Sequence, residues 1–437
     1  MCARPSLLLP LALAIAAPAA AQGEAAYLGP PLSYEAEAHE DPVARLAAKL
    51  AAGELELARD ERLGLLPALL AALEVPHSSQ ALVFSKTSFQ NALISPRNPR
   101  AIYFGDTAYV GAVPGSPVFE LAGIDPERGP IFYTLTDDRE AGPKLQRRDQ
   151  ECLRCHGIGW TDDWPGVLVR SVQPDREGTP IMRLGSKVTT HESPFAERWG
   201  GWYVTGTHGT ARHLGNVALA DQDTQVGIDG EAGANLVTLE GRCAIERHLT
   251  PHSDLVALMV LEHQTRAHNL LAQASGRARL VLHRQAAMNA SLGRPPDELG
   301  DTARSQLKEI ADELLRYLLF RDEPPLPAPI AGTSGFAAEF AARGPRDRLG
   351  RSLRELDLKQ RLFRWPASYL LQGESFRRLP AAVRDIVLVR MLRILQGRAG
   401  LRAYGHLSAP ERRAILEILA DTVPELPPEW ALAAGRG

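Results

Sequence analysis

The chain has 437 residues, of which 45% are hydrophobic and 23% charged, with a formal net charge of −3. This suits two or three domains with a sizeable core and excludes the basic balance of a nucleic-acid binder. Four cysteines in such a length exclude a disulfide scaffold.

The first 21 residues read as a secretory signal peptide. Arg4 gives the positive start, Leu7 to Ala17 an apolar stretch broken at Pro10, and Ala19-Ala20-Ala21 a small-residue cleavage site. Cys2 leaves with it. No later run reaches the ~18 to 20 apolar residues of a spanning helix. The mature protein is therefore expected to be periplasmic or otherwise exported, with no membrane span.

Residues 22–80 form an N-terminal helical segment. Asp41-Pro42 is a cap and first position, and Gly53 divides Asp41 to Leu73 into two amphipathic helices. Residues 81–247 then read as a sheet-rich domain. Ala81 to Phe89, Arg100 to Phe104, Thr107 to Val113, Val118 to Gly123 and Pro130 to Leu135 are short Val-, Ile-, Phe- and Tyr-rich runs punctuated by Gly and Pro. Gly105-Asp106 marks a two-residue hairpin. Val167 to Val172 with Thr179 to Gly185 predicts another hairpin, and Gly201 to Thr205 a further strand.

From residue 248 the pattern is helical. Ser253 or Asp254 caps a helix to about Gln273, and Arg277 to Ser291 and Asp297 to Leu319 follow. Residues 248–322 are expected to pack on the sheet-rich domain. Pro-rich 323–335 reads as a linker. Residues 336–437 form a C-terminal helical region, with helices at Phe336 to Ala342, Arg351 to Phe363, Pro380 to Gln396 and Ala409 to Asp421. Arg343 to Arg364 holds eight Lys or Arg against three Asp or Glu. It reads as a solvated face, or as a docking stripe for an acidic redox partner.

One motif carries chemistry. Glu151-Cys152-Leu153-Arg154-Cys155-His156-Gly157 contains C-x-x-C-H, the haem c attachment signature. Each thiol adds to one vinyl group, and the two intervening residues let both reach one ring. The following His lies beneath the iron. Cys152, Cys155 and His156 are thus the expected cofactor-binding residues for one covalent haem c, with His156 on the iron. A thioredoxin-like redox pair, with Thr179-Pro180 as its proline, and a zinc site completed by Cys243 are the other readings, and neither has the flanking pattern. Cys243 itself reads as a small buried apolar side chain.

Trp160, Trp164, Trp199, Trp202, Phe195 and Tyr203 could bury a large flat ring. Arg154, Arg170, Arg183, Lys187 and Arg198 could pair with propionates. Across the iron, His263 and His208 are the expected metal ligands, with Met182 or an open position as alternatives. His208 sits in the glycine-flanked turn Thr205 to Gly209, with His191 and His213 nearby. His263 lies on the stripe Val256, Met259, His263, Ala267, Leu270, where an imidazole must meet a polar partner or bind something. His268 falls to the polar side and reads as solvated.

The run Leu82 to Gln90, the Cys152 to His156 motif, His191 to Gly209 and Ser253 to Gln264 resemble a group of exported bacterial cytochrome c-like proteins with a single C-x-x-C-H. The resemblance covers about Ala81 to Pro427. It implies haem binding and electron transfer; the group has no established activity. The strands ahead of the motif also resemble PAS-type sensor domains in which haem c hangs on a sheet.

The expected fold is α+β, a sheet-containing haem c region followed by a large helical C-terminal region that closes over the haem edge. The expected function is one-electron transfer through a single haem, with a redox partner protein. The alternative is a haem oxidoreductase or small-ligand sensor with an open distal iron, in which His208, His213 or Arg198 would serve the distal pocket.

Overall fold

The computed structural model describes residues 25–36, 39–220 and 230–436. The expected signal peptide lies outside the described residues. The chain combines helices with antiparallel sheet, as the mixed composition of its runs implied.

Asp41 caps α1 (Pro42–Ala51), accepting from the backbone N–H groups of Val43 and Ala44. After α2 (Leu66–Ala72), six strands form one sheet in chain order: β1 (Ala81–Val83), β2 (Arg100–Phe104), β3 (Ala108–Ala112), β4 (Val118–Asp125), β5 (Gly129–Asp138) and β6 (Gly142–Arg147). Each pairs antiparallel with its neighbour, which short turns such as Gly105-Asp106 permit. Strand alternation gives the sheet two buried faces. Leu82, Tyr103, Val110, Leu121 and Tyr133 pack with Leu46, Leu69 and Leu70 of α1 and α2. Val83, Phe104, Tyr109, Ala122 and Phe132 face the other way, into the core built on the longest helix. Strand β6 was not foreseen, because Gly142-Pro143-Lys144 at its start is exposed and lacks an apolar period.

The motif follows β6 at once, on α3 (Asp149–His156). Next comes the small hairpin of β7 (Val169–Val172) and β8 (Ser186–Thr189). Its second strand begins later than predicted, because Met182–Leu184 coil into a 3-10 turn. No strand forms at Gly201 to Thr205, where Trp202 and Thr205 make isolated bridges to Val83 and Asp254; β9 (Gly206–Thr207) follows and pairs with β10 (Ala331–Gly332).

The longest helix, α4 (Leu255–Leu292), runs 38 residues where two helices were expected. The expected gap between Gln273 and Arg277 is helical, and Gly276 within it makes room for Trp164, whose ring would lie 2.2 Å from a Cβ there. The remaining helices are α5 (Asp301–Leu318), α6 (Phe336–Ala342), α7 (Glu374–Arg377), α8 (Ala381–Leu395), α9 (Ala409–Thr422) and α10 (Pro428–Ala433). No helix among the described residues is long and apolar enough to cross a membrane.

Three stretches of this half differ from their sequence reading. Residues 323–335 are no free linker: the Asp254 carboxylate accepts from the Thr333 and Ser334 backbone N–H groups, and the backbone N–H groups of Leu326 and Ile330 bond to the Gln360 and Leu358 carbonyls. Arg351 to Phe363 is no helix, because the Asp357 side chain takes the backbone N–H groups of Lys359 and Gln360 and turns the chain. Nor is its surroundings a basic stripe. Arg343, Arg346, Arg348, Arg351, Arg354, Arg361 and Arg364 each have a carboxylate partner, from Asp106 to Glu417 and Asp421.

Candidate cofactor site

Helix α3 is short and is held from its start. Arg147 pairs with Asp149 in the first turn, and its guanidinium also donates to the Tyr34 and Ala36 carbonyls at 2.7 Å. Asp149 and Glu151 begin the helix and Arg154 and His156 end it, the charge order its dipole favours. Spacing by three and four puts Cys152, Cys155 and His156 on one face. Cys155 is exposed and Cys152 half-buried, and both thiols are free. Burial, with Glu120, Glu151 and Asp149 nearby, pushes the Cys152 thiol up to about 12.

His156 is fixed at both its backbone and its ring. Its carbonyl accepts from the Gly166 N–H at 2.8 Å and from the Thr161 hydroxyl at 3.2 Å. Its Nδ1 lies 2.8 Å from the Gly166 carbonyl oxygen. Burial lowers its pKa, so the ring is neutral at pH 7. A carbonyl oxygen can only accept, so Nδ1 carries the proton and Nε2 keeps the lone pair. The ring packs on Phe132, centroids 4.8 Å apart. Gly166 fits because a Cβ there would come within 2.9 Å of Asn269 and Thr161. Gly166→Ala is expected to cost about 1–3 kcal/mol of stability, measured by urea unfolding.

The surroundings of the motif are mixed, with Glu120, Glu151 and Asp149 near Cys152 and exposed apolar side chains after the motif. Ile158 and Trp160 stand partly exposed just after it, and Met182 (65% exposed) and Leu184 project from the β7–β8 hairpin. The Arg170 guanidinium of that hairpin lies over the Trp160 ring, 5.1 Å from its centroid, and close enough to the Cys155 thiol to interact with it. Arg154, Arg170 and Arg183 have no carboxylate partner among the described residues.

The histidines expected across the iron are elsewhere engaged. His263 is wholly buried, with Nδ1 2.8 Å from His191 Nδ1 and Nε2 2.9 Å from the Ser368 hydroxyl, and it stacks with Tyr317 and Phe320. His208 is also buried, with Nδ1 2.8 Å from the Ala211 carbonyl and Nε2 accepting from the Asn235 N–H at 2.9 Å. Both ring nitrogens of each thus have protein partners in this structure. The apolar stripe rightly demanded a partner for His263, but that partner is protein. His268 is buried rather than solvated, its Nδ1 2.8 Å from the Tyr109 hydroxyl. Arg198 is spent on Glu262, and Lys187 on Glu197. Trp199 and Phe195 pack with His208 and His213 instead of the motif. Cys243 is buried in the core that includes Tyr203 and Leu82.

Sequence reasoning missed Gly166 as the His156 partner. The signal available was Trp164-Pro165-Gly166 closing the loop that begins at the motif. No family model, curated protein or solved structure matches this chain.

Proposed function

We propose that this chain is an exported carrier of one haem c, thioether-bound at Cys152 and Cys155 with its iron on His156, and that it serves one-electron transfer to a partner protein. The observation that carries the reading is the Nδ1 contact of His156 with the Gly166 carbonyl. It leaves Nε2 as the donor atom, on the same helix face as two free thiols. The residues present fit the group. Ile158 and Trp160 offer apolar surface, and Arg154 and Arg170 offer charge for propionates. Of the distal ligands weighed from sequence, Met182 is largely exposed. When bound, haem supplies a one-electron iron couple whose potential follows axial ligation and burial.

The raised Cys152 pKa supports this reading over dithiol exchange, which needs an accessible thiolate of low pKa. The cysteines also sit past the first turn of α3, away from the helix N-terminus that would lower it.

The test is production in a host with c-type haem attachment machinery. Wild type is expected to gain the mass of one haem that denaturation does not remove. Cys152→Ala combined with Cys155→Ala is expected to lose all covalent haem. Wild type that emerges without covalent haem would overturn the proposal.

A further inference from the structure

One face of α4 grips the loop that begins at the motif. Arg266, Asn269, Gln273 and Gly276 follow one another at helical spacings of three, four and three, so they share a stripe. Arg266 pairs with Asp162, and Gln273 Nε2 donates to the Thr161 carbonyl at 3.1 Å. Gly276 admits the Trp164 ring. Between them, buried Asn269 makes two bonds to one residue: Oδ1 accepts from the Val167 N–H at 2.9 Å, and Nδ2 donates to the Val167 carbonyl at 2.8 Å.

The first of these bonds reaches His156. The Val167 N–H and the Gly166 carbonyl belong to the same peptide plane. Asn269 accepts at one end of that plane and His156 Nδ1 donates at the other. Hydrogen bonds in such a chain polarise one another. An acceptor on the N–H makes the carbonyl a better acceptor, which draws the Nδ1 proton and enriches Nε2. The peptide also cannot rotate while Asn269 holds both sides of Val167.

We infer that Asn269 is a positioning residue for His156, fixing its tautomer and ring orientation and raising the donor strength of Nε2 through the Gly166–Val167 peptide. The inference rests on the haem c reading for its consequence at iron, but not for its effect on the imidazole. Sequence gave no access to it, since Asn269 is contiguous with ordinary helix residues and its partner lies 102 positions away.

The test uses the full chain as wild type, Asn269→Leu, Asn269→Asp and, as control, Gln273→Leu. Two readouts are taken: the ring nitrogens of His156 by 15N magnetic resonance on the haem-free chain, and the midpoint potential and acid transition of the haem-loaded chain. Asn269→Leu is expected to mix the His156 tautomers, raise the potential, and release His156 from iron at a ten- to hundredfold lower proton concentration. Asn269→Asp keeps an acceptor for the Val167 N–H and, when charged, polarises the peptide more, so its potential is expected to fall. Gln273→Leu removes a buried bond on the same stripe and is expected to change neither readout. Identical ring signals and potential in wild type and Asn269→Leu would overturn the inference, as would an equal change in Gln273→Leu. If Asn269→Leu does not accumulate, Asn269→Asp decides: a potential that rises or stays put overturns it. Should wild type take up no haem, the function proposal fails alone, and the ring signals still decide the role of Asn269.

Discussion

Lowering the pH from 7 to 5 is expected to cost this fold on the order of 6 kcal/mol through three histidines. Burial holds His213 and His263 at about 3 and His268 at about 4. An unfolded imidazole titrates near 6.5. The folded values are depressed, so this stability is fully present above pH 6.5 and is lost as pH falls towards 4. At pH 5 each unfolded ring holds a proton that its folded counterpart refuses, about 2 kcal/mol apiece. Charging His213 in place would break its bond from the Gly215 N–H, and charging His263 or His268 would put a cation among wholly buried neighbours. His263 lies against His191 and Ser368, His268 against Tyr109, and His213 accepts the Gly215 N–H at Nδ1. Urea unfolding at pH 7, 6 and 5 measures the loss. An unchanged midpoint across that range would show that these rings charge freely in the folded chain.

Replacing Arg198 by Met is expected to destabilise the protein by about 3–5 kcal/mol. Arg198 and Glu262 form an ion pair with side chains 2% and 0% exposed. The guanidinium also donates to the Ser193 and His191 carbonyls, and Trp199 Nε1 donates to the second Glu262 oxygen at 3.1 Å. Removing Arg198 alone strands a buried carboxylate and two carbonyls. Burial pushes the Glu262 carboxyl up, and Arg198 pulls it back down. Without that pull it takes a proton. Arg198→Met with Glu262→Met removes both charges, so the pair is expected to lose less than the sum of the two single changes. Urea unfolding of the two single variants and the double variant measures this, and additive losses would refute a direct coupling.

What was legible in the sequence were features set by local pattern. The hairpins of β2 to β5 follow period-two runs and turn residues, and α1 follows its Asp41-Pro42 cap. The motif needs only its own five residues. What was not legible depended on pairs distant in sequence. The gap expected between Gln273 and Arg277 closes into helix, with Gly276 set against Trp164. His263 on an apolar stripe called for a partner, and nothing local says whether that partner is iron or His191 and Ser368. His268 was assigned to solvent from a helical wheel, but α4 is buried on several sides along its first half, so no side of it there is reliably polar. The arginines of 343–364 look like a stripe only while Asp106, Glu411, Glu417 and Asp421 are out of view.

The sheet has a further consequence for assembly in time. Every strand from β2 to β6 pairs with its immediate predecessor, and α3 begins two residues after the last of them ends. A chain emerging from its N-terminus can therefore finish the platform before the cysteines appear, using only short-range closures. The helix that clamps the loop behind His156 starts about a hundred residues later. For that interval the thiols stand beside a paired sheet whose face toward α4 is still uncovered. The order of the chain thus separates the appearance of the thiols from the clamping of the loop behind them.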